Sequence, residues 1–259
     1  MSSGIGLRLS LGRQVPGAEA PASFLAELQS LFSGGRLGGI WDATDTARLA
    51  QNSDGTGAVA SAGDPIGWLE DLSGNGNHLV QGQAALKPAL AQDENSGWFA
   101  EFDGADDRVA PLLDCLGPDF TLVMAIRDYP LIASFRFSFG TAPSAQIYAG
   151  LRSGETSSPY QPSIDYPGGA RTRVSAPITD VFTLVADSAS GTVTAFSGAT
   201  QIFTGGGYTG TTDTGLTLNN RPTSGLPTGL EFYRGLCIDA ALTGSDLETA
   251  RTWAGELMP

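Results

Sequence analysis

The order of hydrophobic and polar positions divides the chain into a short N-terminal stretch and a long β-rich remainder. Residues 4–12 alternate, with Ile5, Leu7, Leu9 and Leu11 on one face, which is the period of a half-buried strand. A proline- and alanine-containing spacer follows. Next comes a stripe with helical spacing, formed by Phe24, Leu25, Leu28, Leu31 and Phe32. Ser23 predicts the start of this helix, and Gly34 predicts its end.

This N-terminal stretch allows two interpretations. In the first, both elements pack on the domain that follows. In the second, they form an attachment arm that buries its apolar faces only against partner chains. We favour the arm, because so short a segment cannot bury two apolar faces on itself. The residues assigned to attachment are Ile5, Leu7, Leu9, Leu11, Phe24, Leu28, Leu31 and Phe32. The predicted domains are an attachment arm at 1–37 and a sandwich domain at 38–259.

From Leu37 onward the periodicity is almost entirely that of strands. The segment 120–127 is apolar on both faces, which predicts a strand in the middle of a sandwich. Phe135, Phe137 and Phe139 alternate with polar residues and predict a strand with one buried face. Further strands are predicted at 98–102, 146–151, 181–186, 192–196, 216–219 and 230–238. Many short strands with glycine-rich breaks predict an all-β fold, a two-sheet antiparallel jelly-roll sandwich.

Two segments depart from this strand pattern. Residues 152–176 contain Pro159, Pro162 and Pro167, and we expect a large loop there. Near the C-terminus, Thr243 and Asp246 form an acidic version of a capping box, and apolar residues then recur at helical spacing up to Leu257. The sequence therefore predicts one C-terminal helix.

Composition and charge narrow the function. The net charge of −13 repels polyphosphate, so we expect no nucleic-acid partner. No apolar run of about 18 residues predicts a membrane-spanning helix, so we expect no membrane insertion. The two cysteines, Cys115 and Cys237, are interpreted as buried apolar side chains, although a disulfide between distant strands stays open.

Two acidic segments are candidates for chemistry. Asp71, Ser73 and Asn75 match the first half of a calcium loop, but Gly82 stands where the motif needs a bidentate glutamate. The alternative is a turn whose side chains bond their own backbone. Calcium is thus the one cofactor that the sequence leaves open.

The second segment runs from Glu101 to Asp107 and is compared with the paired carboxylates of laminarinase-type glycosidases. Gly104 interrupts the strand, and the third acid, Asp106, lies beyond it. His78 is the only histidine, so one chain cannot supply a zinc site built from several histidines. We therefore expect that the protein is not an enzyme. Aromatic and arginine side chains in predicted loops give the only signal for ligand binding, through stacking on sugars and pairing with acidic groups: Tyr129, Tyr160, Tyr166, Arg171 and Arg173.

Several motifs together resemble the concanavalin A-like, or laminin G-like, domains of structural proteins in tailed phages and gene transfer agents. They are Trp41-Asp42-Ala43, the turn from Asp71 to His78, the turn from Phe102 to Asp107, and the closing segment from Leu230 to Leu247. The fold family hosts lectins, enzymes and scaffolds, so its function is argued by analogy.

The resemblance implies a non-enzymatic virion structural protein, such as a head fibre, spike or tail-associated decoration. Its localisation would be the virion, assembled in the host cytoplasm, as a homo-oligomer beside other virion proteins. It would display a carbohydrate-binding sandwich for attachment to host surface polysaccharide. The alternative is an extracellular protein of the same fold that binds or cleaves glycans.

Overall fold

The computed structural model confirms the predicted antiparallel sandwich of two sheets. It describes residues 22–95, 97–103, 106–113, 117–127, 135–139, 147–150, 163–165, 172–173, 181–210, 216–220 and 230–256. Two α-helices are described, α1 (Ala22–Ser30) and α2 (Gly244–Gly255). Within these residues, neither helix has the length and hydropathy needed to cross a lipid bilayer.

Among the described residues, the first sheet has eight strands. Its members are β1 (Gly38–Asp42), β5 (Ala89–Gln92), β6 (Trp98–Phe102), β8 (Phe120–Arg127), β13 (Val181–Asp187), β14 (Thr192–Ser197), β15 (Thr200–Gly206) and β17 (Leu230–Ile238). The order is β15-β14-β13-β8-β17-β6-β5, and β1 also pairs with β17, beyond the end of β6. Seven of the eight residues of β8 are buried, as expected for a strand in the middle of a sandwich.

The second sheet has nine strands in the part of the chain that the structure describes. Its members are β2 (Leu49–Ala50), β3 (Trp68–Leu69), β4 (Leu79–Val80), β7 (Arg108–Pro111), β9 (Phe135–Phe139), β10 (Ile147–Gly150), β11 (Ser163–Asp165), β12 (Thr172–Arg173) and β16 (Leu216–Asn220). The order is β12-β11-β10-β9-β16-β7-β4-β3-β2. All the pairings are antiparallel. Phe137 and Phe139 pair with the buried Leu218 and Leu216, which is the register position expected for the predicted apolar face of β9.

Two apolar clusters hold the layers together. The larger one fills the space between the sheets and includes Trp41, Phe120, Phe182 and Phe232. The second lies on the other face of the eight-stranded sheet, beneath both helices, and includes Leu28, Ile238 and Trp253. The central strands of the eight-stranded sheet, β8, β13 and β17, are therefore buried on both faces.

The helical stripe of the predicted attachment arm belongs to this second cluster. Leu28 is fully buried, Leu31 and Phe32 are 7% and 6% exposed, and Phe24 packs against the same cluster. The expectation that these four side chains wait for a partner chain is wrong, because the chain's own sheet and α2 already cover them. Ile5, Leu7, Leu9 and Leu11 lie outside the described residues.

Two further expectations need correction. The predicted loop at 152–176 contains strands β11 and β12; both are short enough to fit between or beyond the prolines that suggested a loop. Thr243 does occupy the N-cap of α2, but its side chain makes no capping hydrogen bond. The helix instead begins at Gly244, whose φ of +55° is a left-handed backbone geometry that glycine adopts readily.

Candidate functional site

The candidate calcium residues form a hydrogen-bond network around the carboxylate of Asp71. Asp71 Oδ1 accepts hydrogen bonds from the backbone N–H groups of Ile40 and Ser73, both at 2.9 Å. Its Oδ2 accepts from Ser73 Oγ at 2.8 Å and from Asn77 N at 2.9 Å. A carboxylate offers about four lone-pair sites, and protein donors occupy this many here.

The other two residues of this group are also committed to the fold. Asn75 Nδ2 donates to the backbone carbonyls of Arg36 and Gly38, at 3.0 and 3.2 Å. Ser73 Oγ accepts from Asn75 N at 3.2 Å. The side-chain oxygens of Asp71 and Ser73 therefore already serve the turn, which supports the alternative of a turn that bonds its own backbone over the calcium assignment. The group fastens this turn to the start of β1.

His78 completes the same turn. Its Nδ1 accepts a hydrogen bond from Asp71 N at 3.0 Å. Its ring stacks on Trp68, with the ring centroids 3.9 Å apart. Gly55 packs against the Trp68 ring as well, since a side chain at this glycine would contact it. Trp68 is thus held between neighbours, and its ring is an anchor rather than a free stacking surface for a ligand.

An acidic cluster lies in the turn between β6 and β7. Carboxylate oxygens of Asp103, Asp106 and Asp107 lie within 4.8 Å of one another, close enough to share a metal ion. Asp107 is only 5% exposed, and its Oδ2 accepts a hydrogen bond from Asp103 N at 2.8 Å. Burial, with smaller contributions from the charges of Asp103 and Asp106, raises the pKa of Asp107 to about 6. β6 ends at Phe102, so this cluster belongs to the turn and closes it.

The residues predicted to bind glycans are placed only in part. Arg173 lies in β12, where it pairs with Ser163 of β11. Tyr129, Tyr160, Tyr166 and Arg171 lie outside the described residues. Cys237 is buried in the cluster between the sheets, whereas Cys115 is not described.

Arg173 belongs to a cross-strand row that sequence analysis did not assemble. Arg108 pairs with Asn219, and Asn219 pairs with Arg136. Further along the sheet, Gly150 pairs with Ser163, and Ser163 with Arg173. Ala149 pairs with Phe137, so the next residue, Gly150, lies level with Arg136 and makes the row continuous. We call these six positions, Arg108, Asn219, Arg136, Gly150, Ser163 and Arg173, the arginine row.

A second row runs beside the first. Thr217 pairs with Ser138, Ser138 with Tyr148, and Tyr148 with Asp165. Each of these residues lies two positions along its strand from a member of the arginine row, so both rows occupy one face of the pleated sheet. We call Thr217, Ser138, Tyr148 and Asp165 the tyrosine row.

Both rows occupy the outer face of the nine-stranded sheet. Val109, Leu216 and Leu218 are buried against the other sheet, and the row positions alternate with them along β7 and β16. Arg108 is exposed. The two described helices pack on the eight-stranded sheet instead. Strand alternation could reveal the polar face of β9 from sequence, but only the register brings the arginines of three distant strands into line.

Comparison with solved structures places this fold among known sandwiches. The chain matches a GH54 α-L-arabinofuranosidase soaked with a cyclic sulfate inhibitor, with a TM-score of 0.53, 12% identity, and coverage of 74% of this chain and 51% of that one. It matches an arabinofuranosidase complexed with arabinofuranosyl-α-1,2-xylobiose with a TM-score of 0.52, 12% identity and the same coverage of both chains. The chain thus spans about half the length of these two proteins.

A third match is the Trypanosoma rangeli sialidase in complex with 2,3-difluorosialic acid. The TM-score is 0.50 and the identity 13%, over 90% of this chain and 38% of the sialidase. No protein-family model matches the sequence, and no curated protein matches it.

These matches correct one expectation from the sequence. We expected that the protein is not an enzyme, and the matches overturn the basis of that expectation, because solved structures that share this fold include glycoside hydrolases. The identities of 12–13% relate the chains by fold alone. The chain is a two-sheet β-sandwich protein that shares its fold with structures of glycoside hydrolases.

Proposed function

We propose that this chain is a glycan-binding or glycan-active β-sandwich protein and that a polysaccharide lies along the outer face of its nine-stranded sheet. The observation that carries this proposal is the difference between the two sheets. The central strands of the eight-stranded sheet, β8, β13 and β17, are buried on both faces. The outer face of the nine-stranded sheet instead carries the tyrosine row and the arginine row.

The chemistry of these rows suits a sugar polymer. Hydroxyl groups of Ser and Thr exchange hydrogen bonds with sugar hydroxyls, and Tyr offers a flat apolar ring with a polar end. An extended polymer fits a pleated face whose repeating positions lie about 4.8 Å apart between neighbouring strands. The fold shared with an arabinofuranosidase and a sialidase supports the same substrate class by analogy.

Affinity electrophoresis against a panel of polysaccharides tests the proposal. We expect retardation by at least one polysaccharide, and we expect Tyr148→Ala to weaken that binding by about tenfold, as for loss of an aromatic contact at the centre of an interface. Gln201→Ala, an exposed residue of β15 in the other sheet, is the control and should bind like the unmodified chain. The same samples are assayed for new reducing ends, which separates a hydrolase from a binding protein. Equal binding by both variants would place the site elsewhere.

We also propose, on the sequence resemblance alone, that the protein is part of a virion, as a homo-oligomer beside other virion proteins. Host polysaccharide would then be the glycan that it binds. Mass spectrometry of purified particles should recover this chain together with the capsid proteins. Its recovery only from the particle-free fraction would exclude this location and leave the glycan proposal intact.

A further inference from the structure

The arginine row concentrates positive charge on an acidic protein. The chain has 14 Lys and Arg against 27 Asp and Glu. The nine strands of the second sheet contain three arginines and a single acidic residue, Asp165, for a net charge of +2. The eight strands of the first sheet contain two arginines, Arg127 and Arg234, and four acidic residues, for a net charge of −2.

The register also fixes the spacing of the backbone positions that carry these arginines. Two strand intervals separate Arg108 from Arg136, and three separate Arg136 from Arg173. With about 4.8 Å between neighbouring strands, these backbone positions lie about 10 Å and about 14 Å apart. The row therefore places three arginine positions well apart along one line across the sheet, a spacing that suits a ligand with repeated anionic groups.

We propose that the arginine row binds a polysaccharide that carries carboxylate groups, and this rests on the proposed glycan function. The planar guanidinium of arginine forms two parallel hydrogen bonds with a carboxylate, so each arginine can hold one acidic sugar. Asn219 and Ser163 stand between the arginines and offer hydrogen bonds to sugar hydroxyls.

Charge density favours a carboxylated polymer over a sulfated one. A net charge of +2 on this sheet is small beside the chain's −13, and a densely sulfated polymer would meet strong repulsion from the rest of the surface. A polymer with one carboxylate per sugar carries less charge and places it at intervals that separated arginines can match.

The experiment measures binding of the full chain to polygalacturonate by isothermal titration calorimetry. Fully methyl-esterified polygalacturonate is the matched ligand, since it has the same sugars without the charge. We expect binding to the acid form to be at least about tenfold tighter and to weaken as salt rises toward about 0.5 M. Arg136→Gln should weaken binding to the acid form by about tenfold. Arg36→Gln removes the same charge from an exposed position outside the sheet and should bind normally.

A second variant separates loss of binding from loss of folding. Asn219→Asp introduces a negative charge between Arg108 and Arg136, and it should weaken binding while its melting temperature stays close to that of the unmodified chain. Equal affinity for the acid and the ester would overturn the carboxylate inference and leave the glycan proposal standing. Tighter binding to dextran sulfate than to polygalacturonate would overturn it too. If no polysaccharide of the panel binds, the proposed function itself fails.

Discussion

The carboxylate of Asp71 joins two parts of the chain that lie far apart in sequence. It accepts the N–H group of Ile40 in β1, and it also holds Ser73 and Asn77 within its own turn. Asp71 is 7% exposed, so water replaces these bonds poorly if they are lost.

We expect Asp71→Asn to lower the free energy of unfolding by about 2–4 kcal/mol, because the amide turns one acceptor into a donor that faces other donors. Urea denaturation measures the change. The control is Asp54→Asn, because Asp54 binds Thr56 in a similar turn but is exposed. We expect a much smaller effect there. A similar loss of unfolding free energy in both variants would show that the hydrogen-bond network around Asp71 contributes little to stability.

At the residue scale, Asp107 also leads to a prediction about how stability depends on pH. Its pKa is about 6 in the folded chain, against an ordinary value of 3.8, chiefly because the carboxyl group is buried. The folded state therefore binds this proton more tightly than the unfolded state does. The contribution of Asp107 to the free energy of unfolding therefore decreases as pH rises from about 4 to about 6.

Urea titrations at several pH values check this contribution. Asp107→Asn should gain stability relative to the unmodified chain as pH rises through that window, since it lacks the charge. Asp106→Asn, at the exposed neighbour, should keep most of the pH dependence. A constant difference between Asp107→Asn and the unmodified chain from pH 4 to pH 7 would contradict the raised pKa.

At the scale of elements, α1 stabilises the sandwich by covering the eight-stranded sheet. Leu28 lies in one cluster with Ile238 of β17 and Trp253 of α2. We expect Leu28→Ala to cost about 2–5 kcal/mol of unfolding free energy, the range for a buried leucine. Leu37→Ala is the control, because Leu37 is 46% exposed and should matter little.

The placement of α1 also changes the expectation for truncation. Removing residues 1–36 would expose the apolar patch beneath the helix, so we expect a lower melting temperature and a tendency to aggregate. Calorimetry and light scattering measure the two effects. A truncated chain that melts like the full chain would restore the view that this segment is a separate arm.

At the scale of the whole molecule, Arg234 connects the sheet to α2. Its side chain is 1% exposed, and Nε donates to Asp42 Oδ2 at 2.8 Å. Nη1 donates to the carbonyl of Trp253, also at 2.8 Å, and the guanidinium lies 5.0 Å from the centre of the Trp253 ring. One buried cation thus holds β1, β17 and the end of α2 together.

We expect Arg234→Met to cost about 3–5 kcal/mol, because it leaves the Asp42 carboxylate buried without its partner. Asp42→Asn combined with Arg234→Met should cost less than the sum of the two single changes, since neither charge then remains. A double-mutant cycle of urea midpoints measures this coupling. Additive losses would mean that the two groups do not stabilise each other.

The local pattern of apolar and polar residues was sufficient to predict much of the fold. The predicted bounds of β6 and β17 match those in the structure, and both helices lie where the apolar spacing placed them. Alternation within a strand and the helical period are properties of neighbouring residues, so the sequence alone carries them. The alternative interpretation of the segment from Asp71, a turn that bonds its own backbone, was likewise available from side-chain chemistry.

Contacts between distant segments required the tertiary structure. β17 shifts its register between Phe232 and Arg234. Leu236 and Ile238 therefore lie on the helix-covered face, opposite to the face that strict alternation from Phe232 would give them. Gly38 lies so close to the carbonyl of Cys237 that a side chain would collide with it, which no local pattern reveals. The arginine row runs across six paired strands, from β7 to β12. The register between strands that are distant in sequence is set by global packing. The sequence therefore determined many of the strands, whereas only the tertiary structure decided which residues form a shared surface.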